Sequence, residues 1–430
     1  MDGKRGWLVV VGCFLTLVFT AGVSFFVLPV LMGPIIEDTG WSLVEVSFGV
    51  TLWGASAAIL SPFCGLFIDR MGARRSILFG TAYTALGTFI ISRVTSLTQF
   101  YAVMFFIPFG PMLSTYIPVG AIVPRWFVKH RGTATGLAMV GIGIGGAIFP
   151  LVASGLLRTH DWRGTYAVLS AMLLIALVPT FFFIRNPNAE EQATGVPGNE
   201  SENESSGDTI APLIDHLTLP QALKTRSFWG LGMGDALTGI VYAIFNVQLV
   251  FLLTGDFTTG ATAALEIGET ATKAMEKSAA DSAALVFSVF LLFTGLGTIP
   301  IGWLSDKLPF KRVFIACYLF PAVGALFLFP REYAFLAFGF AFIAGNAAGG
   351  RSALYPIALT RSFGELHIAS IWGASNSLFM IGTALGPLIG SLLFEKSGGT
   401  GAVYMFCIGT LLVSTTLVSI IRREKVPSAA

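Results

Sequence analysis

From Trp7 to Ile36 the chain runs thirty residues without a charged side chain. A helix crossing a bilayer needs about 20 apolar residues, whereas the apolar core of a secretory leader has only about 7–15. The stretch therefore reads as a first membrane span, although Lys4 and Arg5 stand before it as they would in a leader. Eleven further apolar runs follow, at 43–68, 76–93, 98–124, 132–157, 164–184, 228–254, 283–304, 313–330, 334–360, 369–393 and 401–421, counting 7–35 as the first. Lys, Arg, Asp and Glu make up 12% of the 430 residues and hydrophobic residues 54%, where a soluble globular chain carries about 25% charged residues. That surplus must face lipid. The expected fold is an all-α polytopic membrane protein with twelve transmembrane helices in two pseudo-symmetric six-helix bundles, 1–184 and 228–430, joined by a cytoplasmic linker at 185–227.

An even number of spans puts both ends on one side, so the loop charges test the orientation. Eighteen of the 26 basic residues fall on the side of the termini and seven on the other, an asymmetry that places the termini and the central linker in the cytoplasm. The expected location is the plasma (inner) membrane. Arg351 alone belongs to neither set. A net charge of +2 excludes a strongly basic nucleic-acid binder. The linker, rich in Asn, Glu, Ser and Gly, is too polar to pack a core and reads as flexible. Its Asn-Glu-Ser triplets at Asn199 and Asn203 fit a glycosylation acceptor but lie on the side where they would stay unmodified. The loop 255–282 is rich in helix-forming residues and is expected to extend span 8 or to form a small external cap.

The two halves repeat. Gly65-x-x-x-Asp69-Arg70 with Arg74-Arg75 after span 2 returns 237 positions later as Gly302-x-x-x-Asp306-Lys307 with Lys311-Arg312 after span 8. The same offset carries Gly136 onto Gly373, and Gly145, Pro150 and Ser154 onto Gly382, Pro387 and Ser391. Parallel six-helix repeats are a transporter plan in which the halves rock about a site at their interface near the midplane. Gly65 permits close helix approach, and Asp69, Arg70, Arg74 and Arg75, with Asp306, Lys307 and Arg312 in the second copy, are expected to exchange ion pairs with helix ends as the halves rock. The plain alternative is that these charges only set topology.

The string G-x-x-x-D-R-x-G-x-R-R resembles the cytoplasmic loop signature of the major facilitator superfamily. Asp2-Gly3 followed by Gly6-Trp7 and Gly12, the run from Trp126-Phe127 through Lys129 and Arg131-Gly132 to Gly136-Leu137-Ala138, the entry Ala222-Leu223-x-Thr225-x-x-Phe228-Trp229, and Gly349-Gly350-x-x-Ala353-Leu354-x-Pro356 are similar to motifs of its monocarboxylate transporter and oxalate/formate antiporter branch. The resemblance covers nearly the whole chain and implies a transporter of small organic anions. It departs where substrate chemistry is decided. Monocarboxylate transporters carry a lysine in span 1, where this chain has Phe25, and an Asp/Arg pair in span 8, which is uncharged here from Ala283 to Leu304. Oxalate-type antiporters carry basic residues in spans 8 and 11, and span 11 offers only Ser375 and Asn376.

What the chain has instead is Arg351 in span 10 and Asp235 in span 7. A charge at the bilayer centre costs about 2.5–3.5 kcal/mol on insertion scales, so it is normally paired or lines a wet cavity. Counted from the span midpoints, the two lie roughly 6 and 9 Å towards the cytoplasm, so they can meet. The resemblance places spans 1, 4, 7 and 10 around a central cavity. Tyr242 and Asn246 follow Asp235 on one face of span 7, Tyr355 follows Arg351 by four, Trp372, Asn376 and Thr383 share a face of span 11, and Tyr116 in span 4 matches Arg351 in depth. These residues describe a pocket of one cation, hydroxyl and amide donors and aromatic walls, suited to a small organic monoanion. Arg351, Tyr355, Tyr116, Asn246 and Asn376 are the candidate substrate-binding residues. Asp235 is the candidate for proton coupling or for an ion pair with Arg351. The simpler reading is a structural ion pair within the second half.

Enzymatic chemistry has little support. Cys13, Cys64, Cys317 and Cys407 are far apart, without metal or disulfide spacing. His130, His160, His216 and His367 stand in loops or at helix ends, and neither a G-x-S-x-G nor a phosphate-binding G-x-x-x-x-G-K string occurs. The glycines from Gly141 to Gly146 fall inside span 5, where small residues serve packing. The expectation is a monomeric secondary transporter without cofactor or metal, moving a small monocarboxylate by alternating access, with proton symport slightly favoured over anion exchange. The alternatives are an exporter of amphipathic compounds and a non-transporting membrane sensor that uses the acidic linker.

Overall fold

The computed structural model describes residues 4–127, 130–185, 217–262, 269–329, 334–397 and 399–421. Asp2, Gly3, Lys129, the linker 186–216 with Asn199, Asn203 and His216, residues 263–268, Arg331 and 422–430 lie outside the described residues. Every described regular element is helical.

The first crossing is two helices, α1 (Lys4–Phe26) and α2 (Leu28–Thr39). Pro29 near the start of α2 cannot donate to the preceding turn, and α2 stops at Gly40, whose φ of 71° only glycine adopts without penalty. The second, α3 (Leu43–Met71), opens on a capping box in which Ser42 and Glu45 exchange bonds of 3.2 and 2.7 Å. α4 (Ala73–Ile91) is the third. In the fourth, Pro108, Pro111, Pro118 and Pro124 break the apolar run into α5 (Leu97–Phe106), α6 (Phe109–Ser114), α7 (Tyr116–Ile122) and a 3-10 turn at Val123–Trp126. The fifth is α8 (Arg131–Leu156), and α9 (Trp162–Ile175) with α10 (Leu177–Phe183) makes the sixth.

After a short α11 (Leu219–Ala222), the second half runs through α12 (Arg226–Thr262), then α13 (Glu269–Leu296) bent by 41° into α14 (Thr298–Lys307), α15 (Phe310–Leu326), α16 (Ala334–Phe363), α17 (Ile368–Ser397) and α18 (Thr400–Ser419). α12 and α13 reach into the expected loop 255–282 and leave only 263–268 of it undescribed. Among the described residues eight helical stretches, the broken fourth and sixth crossings each counted as one, are long and apolar enough to cross a membrane, and nine with the bent pair taken as one. The other three crossings, α4, α15 and α16, are shorter or less apolar. Large side chains on the outer surface confirm a lipid-facing perimeter: Leu151 is 75% and Phe182 72% exposed.

Packing follows the repeat. α1 lies along α8, and its counterpart α12 lies along α17. Thr16 in α1 bonds Thr180 in α10 at 2.7 Å, and Thr238 in α12 bonds Ser414 in α18 at 2.8 Å, each threonine also donating to its own helix. Such hydroxyl pairs hold helices together where lipid removes the hydrophobic drive. The halves meet chiefly along α3 with α17 and α8 with α13 and α14.

Candidate functional site

Carboxylate hydrogen bonds join the halves at the end of the bundle where α1 begins, the basic end. Asp69, at the close of α3, accepts from the backbone N–H groups of Ala369 (3.1 Å) and Ser370 (2.8 Å) in the first turn of α17. Asp306, at the close of α14, accepts from the N–H groups of Gly132 (2.8 Å) and Thr133 (2.9 Å) in the first turn of α8, and from the Thr133 hydroxyl (2.6 Å). A helix start has unbonded N–H groups and partial positive charge, and His130 gives α8 no cap from its own side chain. Each carboxylate thus caps a helix of the opposite half. Where ion pairs with helix ends are expected from the charges of the repeat, Asp69 and Asp306 meet backbone donors, because the helix start supplies two aligned N–H groups that a basic side chain would have to be held in place to match.

Glycines allow this approach. A Cβ on Gly65 would lie 2.2 Å from the Ala369 carbonyl oxygen, and one on Gly302 2.3 Å from that of Gly132. Gly136 and Gly373 make the same contacts with Thr298 and Ser61. Arg131 adds a 3.1 Å salt bridge to Glu365, and Arg125 donates to the Glu365 carbonyl. Lys307 sits 4.0 Å from the Trp303 ring centroid, and Arg312 is exposed. Arg70, Arg74 and Arg75 line a cavity beside the joint.

Away from the basic end the joint opens. The face of α3 that carries Gly65, Ser61 and Ala58 meets α17 throughout: Asn376 donates to Ser61 at 3.0 Å and Ser377 to the Ala58 carbonyl at 2.6 Å. One turn further on the same face, a Cβ on Gly54 would find no atom within 4 Å. The two halves are clasped at the basic end, and at Gly54 there is open space beside α3.

Between these levels, Arg351 on α16 is paired with Asp235 on α12, their side chains 13% and 5% exposed. Tyr318 on α15 donates to the same carboxylate oxygen at 3.2 Å. The guanidinium lies between two rings, 5.4 Å from the Tyr242 centroid and 4.8 Å from that of Phe379, a geometry attractive to a cation. Its Nε is buried without a hydrogen-bond partner, so the group keeps donor capacity beyond Asp235.

Tyr355, one turn from Arg351, bonds the Ser375 hydroxyl. Its ring stands 6.3 Å from Trp372, which stands 5.9 Å from Tyr116. Tyr116 donates to Asn376 at 3.4 Å, so Asn376 is held by α7 and α3 of the first half while belonging to the second. Four of the five candidate contacts thus gather around one wall. Asn246 stands apart: its amide bonds the Tyr242 carbonyl of its own helix at 2.8 Å and is exposed. It shares a face with Asp235 but lies eleven residues on, roughly 16 Å along the axis; a shared face is not a shared depth. Thr383 likewise bonds within its own helix, to Met380 at 2.8 Å.

Sequence reasoning missed Tyr318, Phe379 and Ser61. Phe379 is three residues beyond Asn376 and so readable as the same face; Tyr318 and Ser61 carry no local mark, because their partners lie on other helices.

A family model described as Major Facilitator Superfamily matches residues 14–275 and 252–430. Among curated relatives, Monocarboxylate transporter 12-B of Danio rerio is 26% identical over 436 residues, covering 97% of this chain and 86% of the relative. Among solved structures, the transporter FucP in the outward conformation aligns with a TM-score of 0.68 at 12% identity, over 97% of this chain and 99% of that one. The human organic anion transporter MFSD10 aligns with a TM-score of 0.66 at 14% identity, over 97% and 100%.

Proposed function

This chain belongs to the Major Facilitator Superfamily, and from that premise we propose that it is a secondary transporter of a small organic anion, a monocarboxylate, across the plasma membrane. Units 1–184 and 228–430 rock about the interface by alternating access, with the basic end and both termini in the cytoplasm. The clasped basic end and the open face at Gly54 then correspond to the outward-facing state.

One observation carries the substrate reading: a buried arginine between two rings, paired to a single carboxylate at the interface side of the second half. A substrate carboxylate can dock on the guanidinium by a charge-assisted contact, at the buried Nε edge that has no hydrogen-bond partner or by taking the place of Asp235. Asp235, once displaced, gains a reason to bind a proton, since an unpaired charge in that setting is costly. Protonation of Asp235 coupled to substrate entry gives proton symport. Tyr355, Tyr116 and Asn376 supply the hydroxyl and amide groups around the anion, and Asn246 serves the outer approach. The relationship to a monocarboxylate transporter supports the same class.

Uptake of a panel of labelled carboxylates into liposomes, under imposed pH and potential gradients, tests the proposal. Saturable uptake driven by an inward proton gradient, absent in Arg351→Gln, is the expected result. Saturable carboxylate binding retained in Arg351→Gln removes the anchor role, and wild-type pH dependence in Asp235→Asn removes the proton role.

A further inference from the structure

Beside the joint at the basic end is a cavity of ≈ 520 Å³ whose walls include Asp69, Arg70, Arg74, Arg75, Arg125 and Arg185. Its size falls within the range of about 300–1,000 Å³ usual for small-molecule sites. The arginines come from three separate places: the α3–α4 junction, the end of the fourth crossing and the second residue after the sixth. Folding therefore gathers them; they are not one local basic run. Asp69 is the one carboxylate on the wall, and both its oxygens accept from the first turn of α17. Two of the guanidinium groups are anchored: Arg74 donates to the Phe181 carbonyl at 2.7 Å and lies 5.1 Å from its ring, and Arg125 donates to the Glu365 carbonyl. The Nε atoms of both are buried without a hydrogen-bond partner. Arg70 and Arg75 are exposed at the rim.

We propose that this cavity is a regulatory oxyanion site, taking a phosphate group that arrives as an anionic lipid headgroup or as a free phosphate. Planar guanidinium groups match phosphate oxygens in pairs, and an anionic leaflet surface concentrates such headgroups at basic clusters. The site reads the state of the transporter through Asp69. While the basic end is clasped, that carboxylate is committed to Ala369 and Ser370 and leaves the exposed Arg70 and Arg75 to an outside anion. When the halves part there, Asp69 loses those donors and becomes an internal competitor for the same arginines. Binding is then favoured in the clasped state, and by linkage the anion favours that state.

The experiment uses the purified full chain in a nonionic detergent, with dioleoylphosphatidylglycerol and inorganic phosphate as separate probes and dioleoylphosphatidylcholine as the reference lipid. Thermal stabilisation by phosphatidylglycerol is expected to saturate, and in Arg70→Gln/Arg75→Gln to need at least a tenfold higher concentration. Stabilisation by the lipid alone assigns the headgroup, and equal stabilisation by inorganic phosphate assigns a free anion; both uphold the site. No saturable effect of either probe on the wild type, or the same response in the double variant, overturns it. If the double variant melts abnormally in phosphatidylcholine, Arg75→Gln alone answers the same question. State dependence is read from maleimide labelling of Gly54→Cys, the four native cysteines being buried. The bound anion is expected to speed labelling at least twofold, and an unchanged rate rejects the coupling.

Discussion

Removing either member of the Arg351–Asp235 pair leaves the other charge buried among rings, and breaking such a pair typically costs about 3–5 kcal/mol. Asp235→Asn and Arg351→Gln should each lower the melting temperature of the purified protein, while the double variant recovers most of the loss; equal damage in all three would mean that the two charges do not act together. At the far end, Asp38 shows a second kind of residue effect. The hydrogen bond from Arg163, with that from Trp162, holds its carboxyl below the usual carboxylate value. A lowered value means stability that is present above the unfolded value near 4 and lost as pH falls through the folded one. Arg163→Gln should therefore destabilise evenly from pH 5 to 8, with the difference from wild type closing below about pH 4 in pH-dependent melting curves. Arg351 and Asp235 were visible in the sequence because charge is so scarce in the apolar runs. Phe379, Tyr318 and Ser61 were not, since an aromatic or hydroxyl residue in a span looks the same whether it meets lipid, packing or a guanidinium.

At the scale of elements, the two clasps are copies of one device: a carboxylate closing one helix caps the start of another in the opposite half. Asp69→Asn and Asp306→Asn keep an acceptor but lose its charge. An anion at a helix start is worth about 0.3–2 kcal/mol, so each variant should shift the balance away from the clasped state by about two- to thirtyfold, read as slower labelling of Gly54→Cys. Gly65→Ala acts sterically. Its methyl would stand 2.2 Å from a carbonyl oxygen, and forcing extra volume into such a contact costs about 1–3 kcal/mol; Gly302→Ala should match it in direction. The sequence carried the 237-residue repeat of these motifs, and the same offset relates His130 to His367, the residues just before α8 and α17. The spans were legible to within a few residues except where they break. Val27, the prolines of the fourth crossing and the bend at Gly297 interrupt runs that hydropathy alone reads as continuous.

For the whole molecule, the loop charges make an orientation prediction that a reporter fusion checks. Alkaline phosphatase joined after Ile421 should be inactive in a bacterial host, and the same enzyme inserted beside Gly399 active; the reverse pattern would invert the cytoplasmic assignment of the basic end. The sequence by itself determined that this chain lives in a membrane, how many times it crosses, that its halves are related and where its rare buried charges stand. Those properties depend on composition and spacing along one dimension, and apolar length is read out directly by the thickness of the bilayer. Only the tertiary structure decided which helix start each clasp carboxylate caps, which rings flank Arg351, that Asn246 stands apart from the pair, that five arginines from three places enclose one cavity, and which end is closed. Those facts concern partners hundreds of residues apart, and in a bundle where every helix presents an apolar face, the choice of partner is set by close packing and by the direction of a few polar groups.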